Sequence, residues 1–100
     1  MIIEQKNDNG KVTLVIEGWL DHDSASQLGD VIETIDAANE LILDLEKVEY
    51  VSSAGIRMIV LAHRKAKEVN AEFSVINVNS EVMTILSMTG LDKKLAITGK

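Results

Sequence analysis

The chain reads as an α/β domain, a mixed sheet of four to five strands with about three to four helices packed chiefly on one face. Three observations predict it. Runs rich in β-formers alternate with amphipathic helical stretches along most of the chain. One almost continuous apolar run, Leu41-Ile42-Leu43-Asp44-Leu45, has the character of a central strand buried on both faces, although its pattern alone also fits a buried helix fragment. The sequence contains no proline and no low-complexity or linker-like segment, so short loops must connect everything.

Ile2 to Lys6 and Lys11 to Glu17 flank Asp8-Asn9-Gly10, and Asn-Gly supplies the positive φ angles of a tight hairpin turn. Val12, Leu14 and Ile16 alternate with Thr13, Val15 and Glu17, so one face of that strand is the more buried. Gly18 is expected to end it. Asp21-His22-Asp23-Ser24 offers several helix caps, with Ser24 and Gln27 spaced as a capping box. Ala25, Leu28, Val31, Ile32 and Ile35 then share one face of a helix, with Gln27, Asp30, Glu33 and Thr34 opposite.

After the apolar strand and Val48-Glu49-Tyr50-Val51 comes Ser52-Ser53-Ala54-Gly55. A helix is expected from Ile56 to Val69, with Ile56, Ile59, Val60, His63 and Ala66 on one face, which puts the serines at its N-terminus. Glu72 to Val78 predicts a strand in which Phe73, Val75 and Asn77 alternate with Ser74, Ile76 and Val78. Asn79 or Ser80 can cap a short helix containing Val82, Met83, Ile85 and Leu86, stopped by Gly90. A last short strand is expected near Leu95-Ala96-Ile97. This order calls for right-handed crossovers in a mixed sheet.

At 100 residues the chain has room for one core, so residues 1–100 are expected to form one domain, and its 46% hydrophobic and 26% charged content is that of a folded globule. The absence of cysteine excludes disulfides, zinc–thiolate sites and thiol catalysis, and agrees with a reducing compartment. The first residues carry charge early, and no run approaches about 18 apolar residues. A cytoplasmic location is the expectation. Sixteen acidic against ten basic residues give a net charge of −6, with Lys and Arg scattered, which argues against a nucleic-acid surface and against an anionic membrane. No cofactor or metal site is indicated.

Ser52 and Ser53 are the most informative local feature. Short polar residues at a helix start meet unpaired backbone N–H groups and the positive end of the helix dipole, and such a site welcomes an anion. A phosphoryl group on Ser53 would bring about −1.5 to −2 charges to it. Read from the residues alone, either serine is equally well a plain N-cap.

Tyr50-Val51-Ser52-Ser53-Ala54-Gly55-Ile56-Arg57, preceded by Leu43-Asp44-Leu45, resembles the strand–loop–helix signature of STAS domains, the anti-sigma factor antagonist family. Ile16-Glu17-Gly18-Trp19-Leu20-Asp21 is similar to the family's Gly-x-Leu-Asp loop, Phe73-Ser74-Val75-Ile76-Asn77-Val78 to its later strand, and Leu86-Ser87-Met88-Thr89-Gly90-Leu91-Asp92 to its terminal helix exit. Each motif is weak singly, and their order over nearly the whole chain makes the match specific. The resemblance implies a STAS-type fold and a binding switch. In the family, an anti-sigma factor with an ATP-binding serine kinase fold phosphorylates a serine at this helix start, and a metal-dependent serine phosphatase reverses it.

The matching position is Ser53, with Ser52 as the alternative acceptor. The chain departs from the family's pattern in having Ser52 where many members carry Asp, and Ala54 where many carry a second Ser or Thr. Asp21, Ser52, Gly55, Met58 and Leu61 are the candidate partner-contacting residues; Asp21 is as readily a helix cap, and Met58 and Leu61 read equally as cover for loop residues. Asp44, inside an apolar strand, needs a hydrogen-bonding partner and reads as structural.

A Ser–His–Asp hydrolase using Ser53, His22 or His63, and Asp21 or Asp44 is a competing reading. It lacks a Gly-x-Ser-x-Gly elbow, and His63 falls on the apolar face of its helix, so the expectation is a protein that is not an enzyme. The remaining alternative is a constitutive STAS adaptor or scaffold subunit of a regulatory or transport assembly, with the serines acting as caps only.

Overall fold

The computed structural model describes residues 1–100. It contains strands β1 (Ile2–Asp8), β2 (Lys11–Leu20), β3 (Glu40–Val51), β4 (Glu72–Val78) and β5 (Ala96–Gly99). The helices are α1 (His22–Glu33), α2 (Ser53–Glu68), α3 (Ser80–Met88) and α4 (Leu91–Lys94). The five strands lie in the order β1-β2-β3-β4-β5. β1 and β2 are antiparallel, and all later neighbours are parallel. The mixed sheet and the helix count agree with expectation.

The β1–β2 hairpin turns on Asn9 and Gly10, with φ of 50° and 86°. Positive φ at both central residues matches the right-handed twist of the flanking strands. On β2, Val12, Leu14 and Ile16 are buried while Thr13 and Val15 are half-buried, the alternation expected of a sheet covered on one side. Leu28 and Ile32 of α1, Ile59, Ala62 and Ala66 of α2, and Val82 and Leu86 of α3 join Leu14, Ile16, Leu41, Leu43 and Val75 in one buried cluster. The helices therefore share one face of the sheet. No helix is long and apolar enough to cross a membrane.

Several boundaries differ from the sequence expectation. Gly18 does not end β2; it sits within the strand at φ 111°, where the register against β3 shifts, and the strand runs on to Leu20. Pairing of β3 with β2 slips twice, so that three residues advance opposite Val15 to Glu17 and two opposite Gly18 to Trp19. These bulges turn the two-residue period of a strand into a three-residue one, which is why Leu45, Val48 and Val51 are all buried.

Asp44 accepts from the Glu46 amide at 3.0 Å and from Asn77 Nδ2 at 3.1 Å, so it has the partners its place in an apolar strand demands. In β4 the expected alternation breaks at Asn77, whose φ of 58° brings Val78 to the same buried side as Val75. The capping box of α1 is formed by Asp21 and Ser24, one turn earlier than Ser24 and Gln27. α2 starts at Ser53 and not Ile56, and its buried stripe is Ala54, Gly55, Ile59, Ala62 and Ala66. Ile56, Val60 and His63 are half-buried beside it, with the His63 ring 5.6 Å from that of Phe73. Ala62 and Ala66 are buried in that stripe, small side chains that allow close approach to the sheet.

Candidate functional site

β2 and β3 are parallel, and their last residues Leu20 and Val51 are partners, so both chains leave the sheet at the same end. Each then enters a helix through a polar cap: Asp21 for α1, Ser52 for α2. The two helix starts are tied through the backbone, the Ser52 amide donating to the Leu20 carbonyl at 2.9 Å.

Gly55 is buried against this joint. A Cβ there would collide with the Leu20 carbonyl oxygen and stand 2.8 Å from Leu20 Cγ, so the approach of α2 to β2 requires glycine. This is a packing reason for the glycine of the Ser-Ser-Ala-Gly segment.

The two serines occupy different environments. Ser52 is half-buried and extended (φ −89°, ψ 178°), and its Oγ accepts from the Gly55 amide at 3.3 Å while its carbonyl accepts from Ile56 at 2.9 Å. Ser53 is the first helical residue, is exposed, and its hydroxyl makes no hydrogen bond within the chain. The amides of Ser53 and Ala54 belong to the first turn, where no intrahelical acceptor exists. No acidic residue occupies that turn. Arg57, exposed and four residues on, lies on the same side of α2 as Ser53 and takes part in no ion pair.

Asp21 lies beside this loop through Leu20. Its carboxylate accepts from the Ser24 amide at 3.1 Å and the Ser24 hydroxyl at 3.0 Å, and these bonds hold its pKa below the ordinary carboxylate value. The single Ser24 hydroxyl proton is shared between that carboxylate and the Trp19 carbonyl at 2.7 Å, while the hydroxyl oxygen accepts from the Asp21 amide at 3.0 Å, bracing the loop from both sides. Its geometry is therefore that of a cap whose exposed edge borders the serine loop. Met58 and Leu61 are half-buried over Gly29 of α1, so much of their surface is spent in the seam between the two helices. They line a shallow groove with Ile56, Arg57, Val60 and Arg64.

No histidine hydrogen-bonds either serine. His63 lies ten residues along α2 from Ser53, about 15 Å at the helical rise, and burial together with the Lys67 charge lowers its pKa. No three His, Asp or Glu side chains converge closely enough to hold a metal ion. The arrangement offers an exposed hydroxyl at an anion-favouring helix start; it assembles no nucleophile–base pair.

Residue-by-residue reading of the sequence did not single out Leu20, Arg57 or the Trp19–Tyr50 pair. Leu20 acts through its carbonyl, which carries no side-chain signal. Arg57 could have been found from its spacing of four from Ser53. Trp19 and Tyr50 are the only tryptophan and tyrosine of the chain, yet pair only through the β2–β3 register.

Residues 3–98 match the family model described as "Mlab, STAS domain". The chain is 25% identical over 99 residues to the anti-sigma F factor antagonist of Paenibacillus polymyxa, covering 95% of this chain and 84% of that one. A crystal structure from Thermotoga maritima superposes with a TM-score of 0.88 at 23% identity, covering 98% of this chain and 86% of that one. The phosphorylated form of the Bacillus cell fate determinant SpoIIAA superposes with a TM-score of 0.75 at 18% identity, covering 96% and 90%. At such identities the two structures establish likeness of fold alone. The family match spans nearly the whole chain, and the chain belongs to the STAS domain family.

Proposed function

We propose that this STAS domain is an anti-sigma factor antagonist controlled by phosphorylation at Ser53. The unphosphorylated form captures an anti-sigma factor of the ATP-binding serine kinase fold, and the sigma factor held by that partner is freed. The kinase activity of the partner phosphorylates Ser53 and ends the capture; a metal-dependent serine phosphatase restores it. The anti-sigma F factor antagonist of Paenibacillus polymyxa supports the partner class, and the phosphorylated SpoIIAA supports a phosphate-bearing form of this fold.

The observation that carries the reading is the difference between the serines. Ser52 has its hydroxyl engaged as the cap of α2, while Ser53 presents a free hydroxyl at the same helix start. A kinase can reach Ser53 without dismantling the cap. Ser52 is the alternative acceptor, and modifying it would take the cap apart.

The contact surface in this reading is the rim of the joint: Asp21 and Ser52 with the exposed edges of Met58 and Leu61, while Gly55, expected from the sequence to touch the partner, is buried against Leu20 and shapes the joint from within. A partner packed over it must desolvate a phosphate or meet it with like charge, which costs several kcal/mol at an interface. Phosphorylation should therefore weaken capture at least about a hundredfold, equivalent to roughly 2.7 kcal/mol.

The test is phosphorylation by the purified kinase partner, read by intact mass, followed by calorimetric titration of both forms. Phosphate lost in Ser53→Ala and kept in Ser52→Ala is the expected pattern. The reverse pattern transfers the switch to Ser52. Equal affinity with and without phosphate removes the switch and leaves a constitutive adaptor.

A further inference from the structure

Two of the three aromatic residues of the chain are on its surface and in contact. Trp19 is 57% exposed and Tyr50 44%. Their ring centroids are 5.6 Å apart at an interplanar angle of 53°. Each is the exposed neighbour of a core residue at the shared end of β2 and β3, where Leu20 and Val51 are buried. Glu49 is the unpaired residue of the second β3 bulge, and its Oε2 accepts from Trp19 Nε1 at 3.4 Å. Glu81 comes from the first turn of α3. Together Trp19, Glu49, Tyr50 and Glu81 line an open groove of about 520 Å³.

We infer that this groove binds an arginine side chain of a protein partner. The groove offers two chemistries at once. The aromatic faces attract a cation through their quadrupole, and the carboxylates attract it through charge and accept its N–H donors. Glu49 and Glu81 belong to neither ion pair of the chain, which are Lys47–Glu17 and Lys65–Glu68. The net charge of −6 adds a favourable long-range field.

Arginine fits this pair of features better than other cations. Its planar guanidinium stacks on a ring while its edge donates to a carboxylate, whereas an ammonium does one or the other less well. A quaternary ammonium has no N–H for Glu49 or Glu81, and two rings form an open wall and not a cage. Glu81 also favours the positive end of α3, which accounts for it without a ligand. That account leaves unexplained why the only tryptophan sits exposed on a polar surface with its indole tied to a second carboxylate.

The inference goes beyond the Ser53 switch and stands without it. Trp19 is two residues from Asp21 and Tyr50 three from Ser53, so an arginine held here lies at the same end of the sheet as the helix joint. The bound residue would act as an anchor whose engagement the phosphate does not enter directly.

The 100-residue chain is titrated with acetyl-Gly-Arg-Gly-amide and with its lysine and citrulline counterparts, and with tetramethylammonium. The indole N–H resonance of Trp19 is unique in the spectrum because the chain has one tryptophan. It should shift saturably with the arginine peptide in the millimolar range, less with lysine, and not with citrulline, which has the same shape without the charge. Glu49→Gln and Glu81→Gln should each weaken binding by about threefold, as exposed charge pairs do. Trp19→Ala, followed on the backbone amides of Tyr50 and Glu81, should abolish it with the remaining spectrum unchanged. Equal shifts from citrulline, equal affinity for tetramethylammonium, or no saturable shift overturns the inference. None of these readouts uses a kinase or a phosphate, so the inference and the switch can fail separately.

Discussion

The first turn of α2 presses Gly55 against the carbonyl of Leu20, the same oxygen that accepts the Ser52 amide. On propensity alone Gly55→Ala should stabilise a helix by up to about 1 kcal/mol. Here the methyl would meet backbone, which cannot rotate away. Overpacking of this kind costs about 1–3 kcal/mol and should win. Urea unfolding of Gly55→Ala is expected to show a lower midpoint with the slope unchanged. A variant as stable as the parent would show that the joint can open without loss.

The serine pair gives a second prediction, independent of any partner. Ser52→Ala removes the α2 cap and should cost about 0.5–2 kcal/mol. Ser53→Ala removes an exposed hydroxyl with no bond in the chain and should stay within about 0.5 kcal/mol. Thermal unfolding of the two variants side by side checks the assignment. Equal losses would mean that both hydroxyls cap the helix, and Ser53 would then be no freer than Ser52.

Leu43 is fully buried in β3 beneath the helices. Leu43→Ala should cost about 2–5 kcal/mol through lost transfer energy and the cavity left behind. An unchanged midpoint in urea would mean the site collapses onto the missing volume.

Much of this fold was legible because its signals are local. The Asn9-Gly10 turn, the alternation of Val12, Leu14 and Ile16, and the run from Leu41 to Leu45 each state their conformation within a few residues. What was not legible depends on neighbours. The three-residue spacing of Leu45, Val48 and Val51 makes sense only once β3 is bulged against β2. The cap choice at Asp21 over Ser24 depends on where β2 ends, and that is set by Gly18 continuing the strand. In the site, the Ser52–Ser53 pair is legible through its place before a helix and Ser53 through the family resemblance, whereas the division of labour between them rests on one hydroxyl bond that no pattern announces.

Stability should also depend on pH through His63. Burial first, then the Lys67 charge, lowers its pKa in the folded protein. The unfolded imidazole takes up its proton near about pH 6.5. As pH falls through that value the unfolded state binds a proton the folded state resists, so stability present above it declines until the lower folded value is reached. His63→Leu should flatten this part of the profile. The low folded pKa of Asp21 acts in a separate, more acidic window: its contribution is present above the unfolded carboxylate value and lost as pH falls through the folded one. A profile with the same slope between neutrality and pH ~5.5 in His63→Leu would exclude His63 as its source.

The last prediction separates two ways in which a charge at Ser53 could act. If the switch works at an interface, the charge must leave the fold intact. The first turn of α2 contains no acidic residue, and Arg57 stands four residues on with no ion-pair partner. Ser53→Asp should therefore raise stability by about 0.3–1 kcal/mol through the helix dipole. An i,i+4 pair with Arg57 adds about 0.2–0.5 kcal/mol. Arg57→Gln should remove the second part, and salt should weaken both because the site is exposed. The measurement is thermal unfolding of Ser53→Asp, Arg57→Gln and the double variant at low and high salt. A more stable Ser53→Asp that binds its partner poorly places the effect at the interface. A destabilised Ser53→Asp would mean the charge disrupts the helix start, and loss of binding would then report a conformational change at the Leu20–Ser52 joint.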